Sequence, residues 1–104
     1  MYKIYRTAAF DKEFLKLQKA EQIAIEKFEK KLVENPYIGK SLNYAFLREK
    51  KLNGKRAYYL IYDDFVIVLM IAISDKKTQQ ATIDKIKEHL DSYYKFVKET
   101  LGKI

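Results

Sequence analysis

The dipeptide Asn53-Gly54, set between FLREKKL and KRAYYLIY, constrains this chain more than any other feature. Both central residues of a type I′ turn need positive φ, so Asn-Gly between β-prone runs marks a two-residue hairpin. Asp63-Asp64 is a second, weaker turn signal, ahead of the apolar run FVIVLMIAI at 65–73. Residues 44–73 therefore read as three antiparallel strands. Opposed residues share a face and successive side chains alternate, so two-residue turns would fix the register. Leu52 then faces Lys55, Lys50 faces Ala57, Arg48 faces Tyr59 and Leu47 faces Leu60. Across the second turn Tyr62 faces Phe65, Leu60 faces Ile67 and Tyr58 faces Leu69. One face collects Leu47, Tyr58, Leu60, Tyr62, Ile67, Leu69, Ile71 and Ile73, apolar enough to lie under helices. The other collects Phe46, Arg48, Lys50, Tyr59, Ile61, Val66, Val68 and Met70, a cationic corner beside an aromatic ring. Function is expected on that second face.

The flanks read as helix. Residues 1–6 (MYKIYR) alternate as a strand, and Thr7 can cap the helix that follows, in which Phe10, Phe14 and Leu17 recur at helical spacing up to Lys19. A second helix begins by Glu21, carries Ile25, Phe28 and Leu32, and stops before Pro36. The short linker makes these an antiparallel pair. NPYIGKSLN at 35–43 reads as a crossover loop and SDKKT at 74–78 as a polar loop. Beyond it Ile83, Ile86, Leu90, Tyr93, Val97 and Leu101 trace one long helix, with Gly102 as its C′ residue. The expectation is a single α+β domain over 1–104, in the order β-α-α-β-β-β-α. It has a twisted antiparallel sheet, an N-terminal helical hairpin packed on one face and a long C-terminal helix. That last helix has two destinations open to it: over the cationic face, or at the side, leaving a groove for a partner's amphipathic helix.

Composition narrows the chemistry. Without cysteine there is no thiol catalysis, and a lone histidine, His89, leaves neither a zinc site nor a His-based triad, so no metal or small-molecule cofactor is expected. The longest apolar run, at 65–73, is far short of the roughly 20 residues of a membrane span, so no membrane contact is expected. The N-terminus lacks a signal-peptide core, and the reading is a soluble, cytoplasmic protein. Twenty-one Lys and Arg against 14 Asp and Glu give a net charge of +7, which suits a polyanionic partner and equally suits simple solubility. Position says more: Arg48, Lys50, Lys51, Lys55 and Arg56 offset by Glu49 put a net +4 around one hairpin tip.

The helical hairpin closing in NP..GK.L, the YYLIY strand at 58–62, and the apolar strand ending in AIS before a basic loop resemble the RelE/ParE toxin superfamily of type II toxin–antitoxin systems over residues 2–94. The resemblance implies that superfamily's fold and one of two activities. RelE-like members are metal-independent endoribonucleases, mRNA interferases that cut ribosome-bound messenger RNA. ParE-like members inhibit DNA gyrase without cutting. A third possibility is a RelE-like domain whose nuclease site has decayed while antitoxin binding remains. In each case the partner implied is a cognate antitoxin, with mRNA and ribosome, or gyrase, as target. The superfamily's basic strand is matched by Arg48, Lys50 and Lys51. The arginine usually second in its Y-R-L-I-Y strand is Tyr59 here, its loop arginine becomes Lys76 or Lys77, and its following tyrosine falls near Thr82, beside Gln79 and Gln80.

RNA carries its own nucleophile, so such a site must orient the 2′-hydroxyl, stabilise charge on phosphorus and protonate the leaving oxygen, which Arg, Lys and Tyr can do without metal. The expected catalytic residues are Arg48, Lys50, Lys76 and Lys77; the expected RNA-binding residues are Lys51, Lys55, Arg56, Tyr59, which would stack on a base, and Gln79. Each has a plainer reading: Arg48 and Lys50 as a solvated sheet edge, Lys51, Lys55 and Arg56 as guards against edge pairing, Tyr59 as core, and Lys76 and Lys77 as loop lysines. Asp63 and Asp64 suit a turn better than a catalytic pair.

Overall fold

The structure, a computed structural model, describes residues 1–102. Asn53 and Gly54 take φ of 50° and 83°, the left-handed pair that the first turn needs, and β3 (Tyr44–Leu52) and β4 (Lys55–Tyr62) close on it. The register is the expected one, with Leu52 opposite Lys55, Lys50 opposite Ala57, Arg48 opposite Tyr59 and Leu47 opposite Leu60.

The second turn is longer than two residues. Asp63–Phe65 form a 3-10 turn, and Val66 follows at φ 56°, so β5 (Ile67–Asp75) starts later and pairs Tyr62 with Ile67 and Leu60 with Leu69. A shift of two residues keeps each side chain on its expected face, because the strand repeat is also two. A bulge between Tyr58 and Tyr59 then sets Tyr58 opposite Ala72 and Tyr59 opposite Met70. Ile71 is the extra residue, and beyond it Ile73 turns to the face opposite the one expected, beside Ala57.

The sheet is mixed rather than purely antiparallel, in the order β1-β5-β4-β3-β2. β4 takes one edge of β5, and β1 (Lys3–Arg6) runs parallel along the other, Ile4 beside Val68 and Arg6 beside Met70. A short β2 (Lys40–Leu42) pairs with β3 in the stretch expected to be loop.

Helices cover both faces. α1 (Ala8–Leu15) is capped as expected by the Thr7 hydroxyl, which accepts from the Phe10 N–H at 3.1 Å, but it ends short of Lys19. α2 (Lys19–Glu34) starts where the Gln18 N–H donates to Glu21 Oε1 at 2.9 Å. Phe10, Phe14, Ile25, Phe28 and Leu32 of this hairpin pack on Ala57, Tyr59, Ile61, Val68 and Met70. Arg6 ties strand to hairpin, with Nε and Nη2 on the two Glu29 oxygens at 2.8 and 2.7 Å and Nη1 on Asp11 at 3.2 Å. Each large apolar side chain so buried is worth about 1.5–3 kcal/mol.

The opposite face, Leu47, Tyr58, Leu60, Ile67, Leu69 and Ile71, lies under Ile83, Ile86 and Val97 from the C-terminal segment. That segment is not one helix. It breaks at His89 (φ −113°, ψ 16°) into α3 (Gln79–Glu88) and α4 (Leu90–Phe96), and ends in a wider turn over Val97–Leu101. Gly102 is right-handed at φ −82° and not the left-handed C′ residue expected. Among the described residues no helix is long and apolar enough to cross a membrane.

Candidate functional site

The register divides the cationic strand residues between two faces. Arg48 and Lys50 share a face as expected, but it is the face under the N-terminal helical hairpin, where both are half-buried rather than open. Lys50 is half-buried, its Nζ 5.7 Å from the centre of the Phe28 ring in α2. Arg48 donates from Nε to the Ala45 carbonyl at 2.8 Å, and from Nη1 to the carbonyls of Gly39 at 2.8 Å and Tyr37 at 3.2 Å. It braces the loop after α2 against β3.

Tyr59 is the clearest correction. It is 0% exposed, edge-on to Phe28, and cannot stack on a base. Its hydroxyl donates to the Pro36 carbonyl at 2.8 Å and accepts from the Gly39 N–H at 3.0 Å. Burial pushes its pKa up to about 12. A Cβ on Gly39 would lie 2.5 Å from that hydroxyl oxygen, so glycine is required for the close approach.

Lys55, opposite Leu52, shares the face of Lys50 and Ala57, while Lys51 and Arg56 lie on the other face, at the hairpin tip beside the start of α3. Lys51 lies opposite Arg56, and Arg56 opposite Ser74, a row across three strands. The neighbouring row is Glu49, Tyr58 and Ala72. Glu49, counted in the sequence only as an offset to the positive charge, is 7% exposed and central: its Oε1 accepts from Gln79 Nε2 at 2.7 Å and lies 3.4 Å from Arg56 Nε. Strict alternation from Asn53-Gly54 already placed it opposite Tyr58. The Tyr58 and Ser74 hydroxyls are 2.8 Å apart, and burial raises the Tyr58 pKa.

Arg56 Nη1 is buried and finds no hydrogen-bond partner among the described residues. An orphaned buried donor of this kind costs about 1–3 kcal/mol, more for a charged group. Lys55 pairs with Asp75, which brings the loop carrying exposed Lys76 and Lys77 alongside the same tip. Asp75 shapes that loop: its Oδ1 accepts from the Thr78 N–H and hydroxyl at 2.9 and 3.0 Å, bonds that hold its pKa below the usual carboxylate value. Of the nine expected site residues, Lys51, Arg56 and Gln79 share the α3 face, with Lys76 and Lys77 in the loop next to it, while Arg48, Lys50, Lys55 and Tyr59 lie on the helical-hairpin face. The exposed ammonium groups of Lys51, Lys76 and Lys77 are the ones that can reach a phosphodiester, with the Arg56 guanidinium buried behind them. Among the described residues no three His, Cys, Asp or Glu side chains form a group that could hold a metal ion.

Asp63 and Asp64 lie in the turn at the far end of β4. Asp63 accepts from the hydroxyls of Tyr2 at 2.6 Å and Tyr37 at 2.5 Å, bonds that lower its pKa and raise that of Tyr37 to about 12.

No family model matches the chain, and no curated protein matches it. Solved structures do. The free E. coli toxin RelE, as a double arginine-to-alanine variant, superposes with a TM-score of 0.72 at 21% identity, over 84% of this chain and 96% of that one. A chain of the intact E. coli RelBE toxin–antitoxin complex gives 0.66 at 24% identity, over 72% and 96%. One from the archaeal RelE–RelB complex of Pyrococcus horikoshii gives 0.62 at 15% identity, over 72% and 94%. This chain has the fold of those toxins.

Proposed function

We propose that this chain, built on the RelE fold, is the toxin of a type II toxin–antitoxin pair and inhibits translation in the cytoplasm by cutting ribosome-bound messenger RNA without metal. A cognate antitoxin is its controlling partner. The observation that carries the reading is the Lys51–Arg56–Ser74 row set beside the exposed Lys76-Lys77 loop on this fold.

In the reaction the RNA 2′-oxygen forms a bond to the adjacent phosphorus and loses its proton to solvent water, while the bond from phosphorus to the 5′-oxygen breaks and that oxygen gains one. The products are a 2′,3′-cyclic phosphate and a 5′-hydroxyl. Lys51 holds the non-bridging oxygens, whose charge grows in the transition state, and the buried Arg56 behind it adds to the positive field. Lys76 and Lys77 reach the same phosphate from the loop, and a protonated lysine there supplies the leaving oxygen's proton. Glu49 and Gln79 position Arg56.

Burial of Tyr59, where the RelE-like strand carries arginine, favours a second reading in which the chain binds gyrase and cuts nothing. Primer extension on a translated messenger, with purified protein, separates the two. Codon-phased cuts, lowered at least about tenfold in a Lys51→Ala/Lys76→Ala/Lys77→Ala variant, are expected. No cuts, with slowed DNA supercoiling by gyrase, would overturn the nuclease in favour of the binder.

A further inference from the structure

The sheet opens at its other end. The β3–β4 ladder stops at Leu47 and Leu60, while β3 continues back to Tyr44 and β4 on to Tyr62. Tyr44 and Phe46 stand on the departing strand with stacked rings, centroids 5.0 Å apart. Facing them, Tyr94 of α4 lies 6.3 Å from the Tyr62 ring and 6.4 Å from the Phe65 ring. Between the two sets is a groove of about 410 Å³, which Asp63, Asp64 and Asp91 also line and to which no lysine or arginine contributes.

Charge is what sets this groove apart. On a chain of net charge +7, the one lined by five aromatic rings carries only carboxylates. Asp63 is engaged by Tyr2 and Tyr37, whereas Asp64 and Asp91 make no ion pair among the described residues. Tyr44, Phe46 and Tyr94 remain 43%, 38% and 46% exposed, a contiguous apolar surface of the kind that marks an interaction site.

We propose that this groove docks a segment of a partner protein in which an arginine or lysine is flanked by apolar side chains. The aromatic faces and the two unpaired carboxylates attract the cation, and the apolar neighbours cover Tyr44 and Phe46. The volume, at the low end of the roughly 300–1,000 Å³ of pockets for drug-sized molecules, leaves room for an arginine or lysine side chain with its apolar neighbours. An acidic segment is repelled here and drawn instead to the hairpin tip, at the opposite end of β4. A free polyamine satisfies the carboxylates but has nothing to lay on the rings.

Titration of the isotopically labelled full chain, followed by amide NMR, tests it with three probes: a short peptide alternating leucine with arginine, its leucine–glutamate counterpart, and spermidine. The arginine peptide is expected to shift the amides of Tyr44, Phe46, Asp64, Leu90 and Tyr94, and the glutamate peptide those around Lys51 and Lys55. An Asp64→Lys/Asp91→Lys variant, whose changes are on exposed side chains and whose remaining spectrum reports its fold, is expected to bind the arginine peptide about tenfold more weakly. Any of four results overturns the proposal: silence at the groove amides with the arginine peptide, equal shifts there from the glutamate peptide, equal shifts from spermidine, or unchanged affinity in the charge-reversed variant.

Discussion

Tyr59 illustrates how far a single position could be read. Its partner across the hairpin, Arg48, followed from Asn53-Gly54 alone, but which of the two sheet faces the helical hairpin would cover did not, since both are apolar enough to accept it. As a core residue with two hydrogen bonds, Tyr59 should be missed by the fold and not by the RNA. Tyr59→Phe is expected to lower the urea midpoint at constant slope, by about 1–3 kcal/mol, with the activity of the folded fraction kept. Loss of activity at unchanged stability would restore a role in the site. Asp63 gives a pH signature. Its folded pKa lies below 3.8, so its contribution is complete above that value and is lost as pH falls through the folded pKa. Tyr37 runs the other way: raised from 10.0 to about 12, it contributes fully below pH 10 and loses that as pH climbs toward 12. Thermal melts of Asp63→Asn across pH should be flatter than wild type in both windows.

Among the elements, β3 and β4 were legible because one turn has a strict residue requirement, and β5 was placed imprecisely because its turn has none. Asp63-Asp64 fits a two-residue loop and the observed 3-10 turn equally well, and nothing local announces the left-handed Val66 or the bulge that redirects Ile73. The parallel pairing of β1 is tertiary, set by which edge of β5 remains free. The apolar stripe of the last helix ran unbroken through His89, so the break into α3 and α4 had no signal either. The pair that joins β3 to β4 on the α3 face is Glu49 and Arg56, whose side chains are 8% and 11% exposed. Breaking such a pair from one side leaves a buried charge alone, so Arg56→Ala should destabilise by about 3–5 kcal/mol in chemical denaturation. Replacing both partners by leucine should cost much less, and a double variant as unstable as the single would show that the pair is not isolated from its polar neighbours.

At the scale of the whole molecule, positive charge gathers at the hairpin tip and negative charge lines the aromatic groove at the opposite end of β4. The first was visible as a run along the chain. The second was not, because Tyr44, Tyr62, Asp91 and Tyr94 meet only after the strands and α4 are in place. The central claim is that the tip on the α3 face, and not the helical-hairpin face, meets RNA. It is tested most directly by the salt dependence of binding to a single-stranded RNA, for wild type and for Lys51→Ala/Lys76→Ala/Lys77→Ala. Each phosphate contact contributes about 0.7 to the slope of log affinity against log salt, so the expected result is a slope shallower by about 2 in the variant. Parallel slopes for the two proteins would contradict it.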